Sequence, residues 1–193
     1  MNKGQSTREA IVGEALSQAV HVGLEGLSLG VLASSLDLSK SGLFAHFKSK
    51  EMLQLAVLDE AIARFQDRVT TPALATANGK PRLEALFKNY LGWIKGQSDL
   101  GGCPFMVIAQ EIGEAPKAVR ERFLQSQDAW RMFLASTAAA AVKKRELHAD
   151  PEQFAFEFAG IALAYQQALK LMEPRAALKR ATAAFDALLA RRK

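Results

Sequence analysis

The polar side chains of Ser39, Lys40, Ser41 and His46 have the chemistry to bind nucleic acid. Lys40 presents an ammonium group that suits the O6 and N7 acceptors of guanine, and Ser41 presents a less selective hydroxyl. Gly42 has no side chain, so a helix that carries it can approach a groove closely. His46 stands at the far end, where its ring can donate to a phosphate oxygen. The run predicts base and phosphate contacts from one short helix.

Three helix starts in the same stretch are suited to anions. The free amide donors and the positive dipole end of a helix N-terminus attract phosphate. Ser28 and Ser39 each precede a segment with apolar periodicity and are predicted N-caps, while Ser49 and Lys50 begin a third helix. We therefore assign Ser28, Ser39 and Lys50 to the same surface as Lys40.

Such a polar surface needs an apolar base, and two very short helices are predicted to supply it. They occupy about residues 28–35 and 39–46 and meet at a tight turn around Asp37. Aspartate is among the few residues other than glycine that tolerate a left-handed backbone. The residues predicted to fix this packing are Val31, Leu32, Leu36, Leu38, Leu43 and Phe47. A short polar-faced helix on such a base is the geometry that enters a DNA major groove.

The rest of the chain is also predicted to be helical. Ala and Leu recur throughout, while Pro and Gly fall mostly between periodic segments. A first helix, Ser6 to Val22, should end at Gly23, and a long helix should run from Ser49 to about Val69. The segment from Thr70 to Pro81 is interpreted as a loop. Further helices are predicted at about 82–97, 104–113, 117–144, 151–172 and 175–191.

Residues 6–53 resemble the DNA-binding domain of the tetracycline-repressor (TetR) family. The resemblance depends on the order of Gly23, Gly26, Ser28, Leu32, Ala33, Leu38, Ser39, Gly42-Leu43-Phe44, His46-Phe47, Ser49-Lys50-Glu51 and Leu53. It implies an all-α fold with an N-terminal three-helix helix-turn-helix domain, residues 1–48. A C-terminal helical ligand-binding and dimerisation domain, residues 49–193, would follow, with helix 49–69 connecting the two.

Two residues depart from the family pattern. The family commonly has a tyrosine where Phe44 stands, and its hydroxyl often touches phosphate. A phenyl ring cannot make that hydrogen bond, although the resemblance still places Phe44 on the DNA-binding surface. Asp37 replaces the commoner turn glycine, which bears on the angle of the recognition helix.

The last two predicted helices have apolar residues at helical spacing. The family resemblance implies that they form a homodimer interface through Phe154, Phe158, Ile161, Tyr165, Leu178 and Phe185. Two such helices from each copy would make a four-helix bundle about a twofold axis. The alternative is that both stripes pack into their own domain, and the pattern alone does not decide.

A small-molecule effector would need an apolar cavity with a few polar groups. The candidate lining residues are Tyr90, Trp93, Cys103, Phe105, Met106, Gln127 and Trp130. Each of them also fits a plain core, because aromatic residues and methionine at helical spacing are typical of any core. Cys103 is either a redox or electrophile sensor near a helix start or a buried, inert thiol.

Composition narrows the function classes. A single cysteine excludes an intrachain disulfide, and no apolar stretch approaches the ~20 residues that span a bilayer. The formal charge of +5 suits a polyanion, although residues 1–50 carry five basic against four acidic side chains.

No metal-ligand spacing or phosphate loop is present, so no cofactor, metal site or catalytic residue is predicted. An enzyme using Cys103 with His148 or His21 is the disfavoured alternative.

The sequence therefore predicts a cytoplasmic homodimer that binds double-stranded DNA, has no membrane partner and is not an enzyme. A palindromic operator and an unidentified small-molecule effector would make it a ligand-responsive regulator, most simply a repressor. The alternative is a helical sensor or adaptor without sequence-specific DNA binding, which Phe44 and the weak charge of residues 1–50 favour.

Overall fold

The computed structural model describes residues 3–96 and 102–191, and these residues form ten α-helices and one π-helical turn. None of them forms a β-strand, so the all-α prediction is confirmed for this part of the chain. The helices are α1 (Lys3–Val22), α2 (Leu29–Ser35), α3 (Lys40–His46), α4 (Lys50–Phe65), α5 (Thr71–Leu74), α6 (Lys80–Gly96), α7 (Pro104–Glu111), α8 (Lys117–Lys143), α9 (Pro151–Leu171) and α10 (Pro174–Leu189).

The prediction of a loop from Thr70 to Pro81 was wrong in its first half. A π-helical turn, Gln66–Thr70, continues directly from α4, and α5 follows it. Pro72 lies in the first turn of α5, where its missing N–H would have no partner within the helix. The proline therefore begins a helix here instead of interrupting one, and Ala73 is buried beneath it.

The described residues pack into two compact units. The first contains residues 3–64 and 102–125, and the second contains residues 65–96 and 126–191. These units describe packing, whereas the predicted functional division at residues 48 and 49 stays a prediction. Within the described residues, no helix is long and apolar enough to cross a membrane.

The core of the first unit supports α2 and α3 from below. Ile11, Ala15 and Ala19 repeat every four residues along α1, lie on one face of it, and are fully buried. Leu43 and Phe47 are buried as predicted, and the Arg8 guanidinium lies 4.8 Å from the centre of the Phe47 ring. Truncating a buried phenylalanine costs about 3–5 kcal/mol, so Phe47 holds α3 firmly.

Aromatic rings fill the core of the second unit. Phe65 makes edge-to-face contacts with Tyr90, Trp93 and Trp130, at centroid distances of 5.4, 5.8 and 5.0 Å. Edge-to-face pairs are favourable because the positive ring edge meets the negative ring face. This cluster holds the end of α4 to α6 and to the second part of α8.

A second group of rings joins α6 to the last two helices. Phe87 stacks on Phe185 with centroids 3.9 Å apart, and Phe158 meets both edge-on at 5.5 and 5.8 Å. Phe154 and Phe158 are fully buried and Phe185 is nearly so. The apolar stripes of α9 and α10 therefore pack into their own unit.

Candidate nucleic-acid interface

Both short helices of the helix-turn-helix begin at serine caps. The Ser28 hydroxyl accepts a hydrogen bond from the Val31 N–H at 3.4 Å, and the Ser39 hydroxyl accepts one from the Gly42 N–H at 3.0 Å. Both predicted N-caps are confirmed. Capping satisfies amide donors that a helix start leaves free, so α2 and α3 start at fixed residues.

The turn between α2 and α3 uses the left-handed backbone expected of Asp37. Its φ is 53°, and the Leu38 N–H returns to the Ala33 carbonyl at 2.9 Å. The Leu36 N–H donates to the same carbonyl at 3.3 Å, so two hydrogen bonds close the end of α2 there. The turn therefore closes with aspartate in the position that glycine commonly holds.

The exposed face of α3 carries the predicted base-reading residues. Lys40, Ser41 and Phe44 are all exposed, and His46 is half-buried. Phe44 is four residues after Lys40 and three after Ser41, so the three share one side of the helix. Leu43, in the same turns of the helix, is buried beneath this face. The structure thus brings these three predicted residues together on an accessible surface.

Lys40 lies back across the start of α2. A Cβ built on Gly30 would be 3.3 Å from Lys40 Cε and 3.7 Å from its Nζ. Together with Ser28 and Ser34, these residues line an open cleft between the two helices. An ammonium beside a capped helix start is placed to meet a phosphate, and it can swing outward to a base edge.

The half-exposed side chain of Lys50 binds Glu25. Its Nζ donates to the Glu25 carbonyl at 2.5 Å and lies 3.7 Å from a Glu25 carboxylate oxygen. Ser49 caps α4 by accepting from the Met52 N–H at 3.1 Å. Lys50 therefore holds the turn before α2, a role that its place in the sequence did not indicate.

Sequence reasoning also missed the side chains that hold this turn from other helices. Glu111, at the end of α7, accepts hydrogen bonds from the N–H groups of Leu24 and Glu25. Gln54, which is 1% exposed in α4, donates to the Leu24 carbonyl at 2.9 Å. Glu111 is 87 residues from Leu24, and nothing local in the sequence pairs them.

The predicted effector residues fall in both units. Cys103, Phe105 and Met106 belong to the first unit, and Cys103 is fully buried. The second unit contains Tyr90, Trp93, Gln127 and Trp130, of which the aromatic members belong to the ring cluster around Phe65. Among the described residues, no group of three or more histidine, cysteine or acidic side chains could hold a metal ion.

The predicted dimer residues divide into buried and exposed sets. Phe154, Phe158, Tyr165 and Phe185 are buried in the single chain, so they have no surface to offer a partner. Ile161 is half-buried and Leu178 is exposed. The large apolar residues exposed on α9, on α10 and between them are Phe156, Leu163, Leu171, Met172 and Leu178.

A shallow apolar groove runs between the outer sides of α9 and α10. Phe156, Gly160, Ile161 and Ala164 line it from α9, while alanines line it from α10. At one end, Arg191 donates two hydrogen bonds to Glu157, at 2.7 and 2.5 Å. These bonds, with one from Gln153, lower the pKa of the Glu157 carboxyl below its ordinary value. Burial raises the pKa of Tyr165 beneath the groove.

The fold and the α2–α3 pair together define an all-α protein with an N-terminal helix-turn-helix. Residues 79–185 match the family described as "Tetracyclin repressor-like, C-terminal domain". That match covers more than half of the chain, and the helix-turn-helix precedes it. The chain belongs to the TetR family. No curated protein sequence matches it.

Solved structures of other proteins share the fold along nearly the whole chain. A TetR transcriptional regulator from Chloroflexus aurantiacus is 25% identical, with a TM-score of 0.82 over 94% of this chain and 92% of that chain. AibR in complex with isovaleryl coenzyme A and operator DNA is 21% identical, with a TM-score of 0.78 over 94% and 97%. Reduced NemR from E. coli is 19% identical, with a TM-score of 0.77 over 96% and 98%.

Proposed function

We propose that this chain is a homodimeric, ligand-responsive transcriptional regulator that binds a palindromic operator, most simply as a repressor. The observation that carries the proposal is the exposed face of α3, where Lys40, Ser41 and Phe44 stand together above the buried Leu43. Family membership supports the same function.

On DNA, α3 enters the major groove with its N-terminal residues on base edges. Lys40 and Ser41 contact bases, and Gly42 lets the helix approach closely. Ser28, Ser39 and His46 contact the phosphates on either side, while Lys50 acts mainly through the turn that it holds. Phe44 adds apolar contact on the same face.

A second copy of the chain would bind over the outer faces of α9 and α10. The apolar groove, which Phe156 helps to line, supports this, as does Leu163, which is exposed on the same side of α9, because large exposed apolar side chains beside a groove are typical of docking surfaces. A twofold axis there would present two copies of α3 to half-sites about 34–36 Å apart.

An effector would change the separation of the two recognition helices. It can do so only if it binds the two arrangements of the dimer unequally. AibR, a structural neighbour solved with both isovaleryl coenzyme A and operator DNA, supports a small-molecule effector and a DNA partner for this chain. Tyr90, Trp93, Gln127 and Trp130 remain our candidates in one unit, and Cys103, Phe105 and Met106 in the other.

The direct test is to select bound duplexes from a random pool and measure their affinity by fluorescence anisotropy. Lys40→Ala with Ser41→Ala should weaken binding by more than about 10-fold, because both base contacts are lost. Lys88→Ala removes one exposed charge from α6 and serves as the control. Binding that stays at the wild-type level in the double variant would refute the assigned surface.

A sensor or adaptor without DNA binding is the second candidate. Two observations favour it: Phe44 has no hydroxyl for a phosphate, and Lys50 is committed to Glu25. If the protein is a folded dimer and still enriches no duplex from the pool, the sensor or adaptor replaces the DNA-binding regulator as the proposed function.

A further inference from the structure

The turn between α1 and α2 is held by side chains from two other helices. Glu111, the last residue of α7, accepts hydrogen bonds from the Leu24 N–H and, at 3.2 Å, from the Glu25 N–H through one carboxylate oxygen. A carboxylate that accepts two backbone amides makes stronger bonds than a neutral acceptor would. Glu111 is thereby fixed to the backbone of this turn.

Gly23 makes room for that carboxylate. Its φ of 71° lies in the left-handed region that favours glycine. A Cβ built on Gly23 would overlap three atoms of the Glu111 carboxyl group, closer than real Cβ atoms approach. Any side chain at position 23 would therefore both strain the backbone and displace Glu111.

Helix α4 holds the opposite side of the turn. Gln54 donates through Nε2 to the Leu24 carbonyl and to a Glu25 carboxylate oxygen, each at 2.9 Å. Lys50 donates to the Glu25 carbonyl. The N–H groups of the turn thus point to α7 and its carbonyls to α4, so the backbone at Leu24 and Glu25 has little freedom to move.

We propose that Glu111 is a positioning residue for DNA binding. It sets the orientation of the α2–α3 pair relative to α7 without touching DNA. The turn that it holds precedes α2 by only a few residues, and α4 follows α3 almost directly, so the pair is anchored at both ends. This inference rests on the proposed function, because it concerns the surface that would read the operator.

The second unit contains a matched site that serves as an internal control. Gly79 also has a positive φ, of 109°, and the next residue, Lys80, donates its N–H to the Glu146 carboxylate at 2.9 Å. A Cβ on Gly79 would lie 2.5 Å from a Glu146 oxygen. The same arrangement, a glycine with positive φ beside a glutamate carboxylate, therefore occurs in the other unit, far from the helix-turn-helix in the sequence.

The experiment compares Glu111→Ala with Glu146→Ala on a selected operator, by anisotropy across a range of salt concentrations. Both variants remove one negative charge, which by long-range electrostatics alone would strengthen binding to DNA. We expect Glu111→Ala to weaken binding by about 10-fold or more, since two charge-assisted hydrogen bonds are lost. The slope of log affinity against log salt should not change, because no phosphate contact is removed.

A second variant of Glu111 and an NMR measurement test the inference even if Glu111→Ala does not fold. Glu111→Gln retains an acceptor oxygen and should give an intermediate affinity, which covers the case in which Glu111→Ala does not fold. Residual dipolar couplings should show that α2 and α3 turn relative to α7 in Glu111→Gln or Glu111→Ala, and not in Glu146→Ala. Wild-type affinity and wild-type couplings in both folded Glu111 variants would overturn the inference. If the wild-type chain selects no DNA, the proposed function fails. The residual dipolar couplings then show by themselves whether Glu111 sets the orientation of α2 and α3.

Discussion

At the scale of single residues, Asp37 gives α2 and α3 their fixed angle at some conformational cost. Its left-handed backbone, φ 53°, is less favourable for an aspartate than for a glycine. We expect Asp37→Gly to raise the free energy of unfolding by about 0.5–1 kcal/mol. Urea denaturation measures this. Asp37→Ala should lower stability, and a glycine variant that is destabilised as much as the alanine variant would contradict the argument.

Phe44 provides a second prediction at this scale. Its ring is 44% exposed on the side of α3 that carries Ser41. Phe44→Tyr adds a hydroxyl that can donate to a phosphate oxygen, so operator affinity should rise several-fold, about 0.5–1.5 kcal/mol. Anisotropy titration tests it, with Phe44→Leu as the control that keeps an apolar side chain. Equal affinities of the tyrosine and wild-type proteins would show that no phosphate lies within reach.

The roles of single residues could be predicted where they depend only on neighbouring residues in the sequence. The caps Ser28 and Ser39 and the left-handed Asp37 follow from propensities that act within four residues. Glu111 was not predictable, because its partners are 86 and 87 residues away and a lone glutamate at a helix end has many uses. The contact of Lys50 with Glu25 could not be predicted for a similar reason, since the two residues are 25 apart in the sequence.

At the scale of elements, the pairing of α9 with α10 includes a titratable contact. Hydrogen bonds from Arg191 and then Gln153 hold the pKa of Glu157 below its ordinary value of 4.5. A carboxyl group whose pKa is lower in the folded state adds stability above its unfolded pKa, and this is lost as pH falls through the folded value. The contact should therefore weaken only in acid, at pH values below about 4.5.

Arg191→Ala tests this contact. Removing the guanidinium should return the pKa of Glu157 towards its ordinary value, as an NMR titration of the side-chain carboxyl carbon would record. Arg180→Ala removes another exposed cation that lines the same groove and should change this pKa much less. A Glu157 pKa that is the same in wild type and Arg191→Ala would contradict the geometry.

Four of the six residues that the family resemblance assigned to a dimer interface are buried within their own unit. The strongest stripe of α9, with Phe154, Phe158 and Tyr165, faces its own core, because a helix buries its most apolar side within its domain first. The outer patch is weaker, since Gly160 and several alanines interrupt it. The π-helical turn after Phe65 also escaped prediction, because periodicity does not distinguish it from a continuing α-helix.

At the scale of the whole molecule, the outer faces of α9 and α10 are proposed to join two copies. Phe156 is 74% exposed and Leu163, one heptad later on the same side of α9, is 57% exposed. Phe156→Glu with Leu163→Glu should give a monomer, because four carboxylates would be buried across a twofold contact. Light scattering coupled to size exclusion measures the mass.

The dimer prediction has a matched control in Leu74→Glu, which charges an apolar residue that is 52% exposed on α5. That variant should remain dimeric and keep its operator affinity. The double variant should lose most of its affinity along with the partner, since one half-site supplies only half of the contacts. If the double variant stays dimeric, the interface must lie on another surface of the protein.

Methylation interference on a selected operator tests the central claim most directly. Dimethyl sulfate methylates guanine N7 in the major groove and adenine N3 in the minor groove. The methylated bases that prevent binding therefore show which groove α3 enters. We predict interference at guanine N7 in two clusters, one helical turn of about 10–10.5 base pairs apart or a multiple of it. The Lys40→Ala protein should lose the interference at one guanine in each cluster. Interference at adenine N3 alone, or in a single unrepeated cluster, would contradict a paired α3 in the major groove.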